Sequence, residues 1–137
     1  GSIRLNLKSC GRFLFMLFLF SNIEIQDAPT RILAGSHLDV PPLLEPAGDE
    51  GLSFIELAQK LTTTLDREIE YATGAAGTVY LCHPFLIHGA QPNRAGGPRF
   101  LAQPPLQPRS EDSIQLYRTH GDYSPVELAI RLGLRLN

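Results

Sequence analysis

The chain has 137 residues, a formal net charge of -2 at pH 7, 19% charged and 43% hydrophobic residues. That length suits one domain spanning 1–137 with a core of its own, and is too short for two full-sized domains. Basic residues scattered along a nearly neutral chain exclude the electrostatic footprint of a nucleic-acid or anionic-membrane binder, and favour a small neutral or anionic molecule as partner.

Ile3 to Leu7 alternates apolar and polar residues, the period of a strand with one buried face, and Cys10-Gly11 interrupts it. Phe13 to Phe20 is an unbroken apolar run. It falls far short of the roughly 20 residues that cross a bilayer, and no small-residue cleavage site follows it, so it reads as a strand buried on both faces. Met16 is the only methionine, and Gly1-Ser2 reads as a cloning remnant or the edge of something longer. Cys10 and Cys82 have neither chelating spacing nor a disulfide framework around them, which suggests a reducing, cytoplasmic setting.

Asn22 to Ala28 is a polar connection closed by Pro29, and Thr30 to Gly35 a third short strand. Pro41-Pro42 and the stretch 46–51 read as loop. Ser53 to Leu65 carries Phe54, Leu57, Ala58, Leu61 and Leu65 at helical spacing, with Ser53 as N-cap and Glu56 completing a capping box. Thr73 to Gly77 is a turn, Thr78 to His88 a strand, and Arg99 to Ala102 its expected partner across a loop dense in Gly, Pro and Asn. The remainder is proline-rich connection. Residues 124–133 then form a short terminal helix that Ser124 caps, Pro125 starts and Gly133 can end. Short strands separated by turns, with few helices, predict a mainly-β sandwich or barrel.

Two paired strands would bring His88 and Arg99 together. A neutral imidazole suits a first-row metal and a guanidinium fork suits a carboxylate, the core of an iron and 2-oxoacid oxygenase site. The plainer reading makes His88 a structural histidine at a strand terminus. Arg99 argues against it, because an arginine pointing into a barrel requires an anionic partner. His83, an odd number of positions before His88, would face the other way on a regular strand and reads as structural. His37-Leu38-Asp39 matches the H-x-D pattern that chelates iron from one strand face. Its alternative is a strand-ending turn in which Ser36, His37 and Asp39 satisfy local backbone groups.

Three blocks together resemble the phytanoyl-CoA dioxygenase family of Fe(II) and 2-oxoglutarate dependent oxygenases. Thr30-Arg31-Ile32-Leu33-Ala34-Gly35-Ser36-His37 is similar to a strand ending in Pro-Gly-Ser-His, with Ala34 replacing the proline. Gly77 to His88 resembles the strand that carries the second iron histidine, and Asn93 to Arg99 the Pro-Asn, variable residues and Arg that follow. The likeness covers roughly Ile3 to Leu106.

The resemblance implies a double-stranded β-helix, the jelly-roll or cupin-like architecture, here the C-terminal portion of an oxygenase domain. It implies His88 as distal iron ligand, with Arg99 and Asn93 on the 2-oxoglutarate side, and a small organic substrate. It removes His37 and Asp39 from the metal, because the family's H-x-D precedes the stretch that Ile3 begins. Gln26-Asp27-Ala28 replaces the usual acidic-Asn-Gly turn, and Ala90 stands where a hydroxyl residue often helps hold the cosubstrate. A chain without that H-x-D should bind iron poorly. Two other readings stand beside this one. The first is a non-catalytic jelly-roll module that binds a small molecule, and the second a cupin-like metalloenzyme using His37, Asp39 and His88. The oligomeric state is left open.

Overall fold

Nearly every strand partner in this chain comes from far away in the sequence. A computed structural model describes residues 3–8, 13–62, 66–109 and 114–137. The strands are β1 (Arg4–Leu5), β2 (Leu14–Leu19), β3 (Arg31–Leu33), β4 (Leu52–Ser53), β5 (Ile69–Tyr71), β6 (Val79–Cys82), β7 (His88–Gly89), β8 (Leu101–Ala102) and β9 (Pro105–Leu106). The α-helices are α1 (Val40–Leu44), α2 (Phe54–Lys60) and α3 (Pro125–Gly133). The fold is mainly β, with three antiparallel sheets and short helices.

β2 is the organising strand. Phe15, Leu17 and Leu19 are buried while Met16 and Phe18 are less so and Phe20, just past the strand, is 59% exposed, so the apolar run has the alternation of a strand with one covered face, which corrects the expectation of a strand buried on both faces. β6 pairs along one side of β2, and β8 and β9 along the other. A second sheet has β3 between β5 and β7. Phe15, Leu17 and Cys82 from the first sheet pack with Ala72, Ile32 and Leu86 from the second, so the inner faces share one core. A separate cluster gathers the helices, with Val40, Leu44, Leu57, Val126 and Ile130 around Phe85.

Both capping boxes form: Ser53 Oγ accepts from the Glu56 amide at 3.2 Å, and Ser124 Oγ from Glu127 at 3.3 Å. Each satisfies amides that an unfinished first turn leaves bare. α2 closes at Leu61, earlier than the spacing predicts, and the expected end at Leu65 lies outside the described residues, as do Cys10 and Gly11.

The structure corrects the reading of Pro41-Pro42, of the strand from Thr78 to His88 and of its pairing, and adds a strand where none is predicted. Pro41 and Pro42 belong to α1, where their missing amides fall in a first turn that has no intrahelical acceptors. The segment Ile69–Tyr71, which carries no turn or period signal of its own, is strand β5. The predicted strand from Thr78 to His88 breaks at Pro84, with Leu86 donating to the His83 carbonyl at 3.0 Å across a turn. That turn passes the chain from one sheet to the other. Consequently β6 and β8 are not paired, because β2 lies between them.

Candidate functional site

His88 stands on β7 opposite Ile32, in the sheet across the core from β2. Its ring lies 4.6 Å from the Phe15 ring, centroid to centroid. Its Nδ1 is 3.0 Å from the Leu86 carbonyl, which can only accept, so Nδ1 is the donor there and Nε2 is the ring nitrogen left for another partner. The residues that follow are stitched to β3. Arg31 donates to the Ala90 carbonyl at 3.0 Å and Gln91 to Pro29 at 2.8 Å.

Arg99 lies two residues before the start of β8. Leu101 pairs with Leu19, and the Phe20 amide donates to the Phe100 carbonyl at 2.9 Å, extending the ladder by one residue. Alternation then puts Arg99 on the inward face with Leu101, Leu19 and Phe15. Its Nη1 is buried and has no hydrogen-bond partner. A buried unpaired guanidinium nitrogen is costly, and a carboxylate is the group that fits it. His88 and Arg99 therefore face one core from two sheets, a placement different from the hairpin expected between them. Asn93 is exposed and used within its loop, donating to the Gly97 carbonyl at 2.7 Å and accepting from the Gly96 amide at 3.2 Å.

His37 and Asp39 are not on a strand. The turn Ser36–Leu38 is a 3-10 helix, and Asp39 follows it. Arg67 holds both Asp39 oxygens, at 2.6 and 2.7 Å. Burial lowers the His37 pKa, and Arg67 lowers it further against the opposing pull of Asp39. The buried Ser36 hydroxyl accepts from the Ile87 amide at 2.8 Å, tying this turn to the segment before His88.

His83 sits beside His37 with ring centroids 5.2 Å apart. Its Nδ1 accepts from the Phe85 amide at 3.1 Å, and its Nε2, at 3.2 Å, donates to the Val126 carbonyl of α3. Burial drives its pKa down to about 4, with the Val126 contact opposing and His37 adding to the fall.

Iron does not fit this donor set. A facial triad needs two histidines and a carboxylate on one face. Among the described residues no group of three His, Cys, Asp or Glu is close enough to hold a metal ion, so His37, Asp39 and His88 do not converge. The H-x-D spacing recurs at His120-Gly121-Asp122, overlooked in the sequence reading, where both end residues are exposed. Sequence reasoning also missed Phe15 as the platform under His88 and Arg67 as the partner of Asp39. Neither is signalled locally, because each is brought in by a distant segment.

No helix of the described residues is long and apolar enough to cross a membrane. A family model described as phytanoyl-CoA dioxygenase matches residues 11–101. No curated protein matches the chain.

Proposed function

The chain belongs to the phytanoyl-CoA dioxygenase family, and from that premise we propose that Arg99 anchors the distal carboxylate of 2-oxoglutarate in a dioxygenase site acting on a small organic substrate. The observation that carries this is the buried, unpartnered Nη1 of Arg99 on the inner face of the sheet. Members of the family are oxygenases of the Fe(II) and 2-oxoglutarate type. When bound, 2-oxoglutarate would supply two of the four electrons that reduce oxygen, leaving as succinate and CO2, with the substrate supplying the other two.

The chain's own residues do the following. Arg99 offers a charge-assisted fork that fixes the anion's orientation. On the same inward face Phe15, Leu17 and Leu19 are buried, and an apolar setting of that kind would strengthen a pairing between the fork and a carboxylate. His88, its Nδ1 held by the Leu86 carbonyl, keeps Nε2 as the nitrogen that would meet a ligand. It would serve as one iron ligand. A second histidine and a carboxylate are needed beside it, and none of the described residues brings them there. The exchange of strands between two facing sheets, with β2, β6 and β8 in one and β3, β5 and β7 in the other, supports reading the fold as part of a double-stranded β-helix. On that reading residues 1–137 are the clamp-bearing portion of a single oxygenase domain. Asn93 would contribute by shaping the loop that leads to Arg99.

The test is calorimetric titration of the purified chain with 2-oxoglutarate, succinate and 2-oxobutanoate. Binding of the two dicarboxylates, weakened about tenfold or more by Arg99→Gln, is the expected result. Equal affinity in the variant refutes the assignment. A non-catalytic small-molecule-binding module is the second reading, favoured by the unassembled metal ligands; succinate production that depends on His88 would exclude it.

A further inference from the structure

A single peptide group joins Ser36 to His88. The Ile87 amide donates to Ser36 Oγ at 2.8 Å, and the Leu86 carbonyl, the other end of the same peptide unit, accepts from His88 Nδ1 at 3.0 Å. A peptide is planar, so whatever fixes its amide also fixes its carbonyl. Donation at one end polarises the other, which strengthens the bond to the imidazole. The hydroxyl stands where a backbone acceptor would be expected. Ile32 pairs with His88, so Leu33 and Ile87 come next in the ladder, and a regular antiparallel pair of that kind exchanges both its bonds. The Leu33 amide does donate to the Ile87 carbonyl at 3.0 Å, but the Ile87 amide goes to Ser36. Gly35, at φ +79°, turns the chain out of β3 and delivers Ser36 to that place, in a 3-10 turn closed by the Asp39 amide on the Ser36 carbonyl. Ser36 is fully buried, so water does not compete for its hydroxyl.

We infer that Ser36 is a positioning residue for His88: it holds the Leu86–Ile87 peptide so that the Leu86 carbonyl selects the imidazole tautomer with its hydrogen on Nδ1. In a neutral ring of that form Nε2 is the acceptor, and it is the nitrogen that a ligand would meet. Without the hydroxyl the Ile87 amide loses its partner. The peptide then turns to find another, carrying the Leu86 carbonyl away from the ring. The imidazole is freed to place its hydrogen on Nε2, where it can no longer accept. Ser36 matters to function only if His88 belongs to the 2-oxoglutarate site, but its hold on the ring is measurable with no ligand present.

Long-range proton–nitrogen correlation spectra of the whole chain, taken without ligand at about pH 8 where an ordinary imidazole is neutral, report the tautomer of each histidine. His88 should favour Nδ1 over Nε2 by about tenfold, the bias that one hydrogen bond of ordinary strength gives. His83 is the internal control, because its Nδ1 accepts from the Phe85 amide and its Nε2 donates to the Val126 carbonyl, the opposite tautomer. In Ser36→Ala the His88 ratio should fall about fivefold or more while His83 is unchanged, a split that general loosening of the segment would not produce. Ser36→Thr keeps a hydroxyl and should restore the wild-type ratio. If Ser36→Ala does not fold, Ser36→Cys, close in size and a weaker acceptor, takes its place with a fall of about twofold or more. Four results would overturn the assignment: a wild-type His88 with its hydrogen on Nε2, a ratio indifferent to loss of the hydroxyl, a shift shared with His83, or a folded Ser36→Thr chain that behaves like Ser36→Ala. Calorimetry with 2-oxoglutarate separates this from the site itself. Binding by a wild-type chain whose His88 ignores Ser36→Ala refutes the positioning role alone, and a His88 that responds in a chain that binds nothing refutes the site alone.

Discussion

Replacing Arg99 with methionine should make the ligand-free protein more stable while destroying its response to 2-oxoglutarate. Met retains the apolar stem that packs beside Leu101 and deletes the guanidinium, whose Nη1 is buried without a partner. Leaving a buried donor unsatisfied costs on the order of 1–3 kcal/mol, and more when it is charged. Part of the guanidinium reaches solvent, since Arg99 is only half-buried, so the lower part of that range applies. Arg99→Met should therefore gain about 1–2 kcal/mol in urea denaturation, equivalent to roughly 3–6 °C in Tm for a chain of this size. With 2-oxoglutarate at about 100 times its Kd, the wild-type chain should gain about 2.7 kcal/mol and the variant nothing, which reverses their order. The assay is paired urea curves with and without the ligand. A variant less stable than wild type without ligand, or one that keeps the ligand's stabilisation, refutes the view that Arg99 awaits an anion.

Three other outcomes follow from contacts elsewhere. Glu127 is fully buried, and its carboxylate takes two nitrogens of Arg118 and the amides of Gln115 and Ser124. Burial works to raise its pKa, and these donors outweigh it, leaving the pKa lowered. Arg118→Ala should cost about 3 kcal/mol in urea denaturation, the low end for stripping one partner from a buried pair, because the amides remain. His83 titrates at about 4 when folded and 6.5 in an ordinary setting, so the folded chain rejects a proton that the unfolded chain accepts. Its contribution is complete above pH 6.5 and is lost as pH falls toward 4, amounting to about 2 kcal/mol between pH 7 and pH 5. His83→Asn should flatten that part of the stability profile, and an unchanged slope would exclude His83 as its source. Gly51 has φ +65°, and a Cβ there would meet the Leu5 carbonyl oxygen at 2.0 Å. Gly51→Ala should cost about 3 kcal/mol or more and loosen β1 from β4, seen as faster amide exchange at Leu5 and Leu52.

What could be read from the sequence was whatever a short window encodes. The Phe13 to Phe20 run, the two Ser-x-x-Glu capping boxes and Gly133 at the end of α3 are local signals, and each reappears in the structure. β5 is invisible locally, because Ile69, Glu70 and Tyr71 are all exposed and form a strand only through β3. Pro84 is plain in the sequence, yet only the sheet order reveals that it moves the chain from one layer to another. The same limit governs the site. His88 and Arg99 stand out by residue type and flanking pattern, but Phe15 beneath the imidazole and Arg67 across Asp39 come from other segments. The H-x-D match at His37 looked like a chelate because spacing cannot show that Asp39 already has a cation.

The central position of β2 also sets the order of events in folding. Its neighbours are β6, β8 and β9, so Phe18 finds Val79 on one side and Ala102 on the other. During synthesis this apolar segment emerges well before β6, β8 and β9, and waits for them before either flank is paired. Such distant pairings slow collapse to the native topology, and an unpaired strand rich in Phe and Leu is prone to pair with another chain meanwhile. Its yield in a cell should therefore depend on chaperone capacity and on growth temperature more than on the stability of the finished fold.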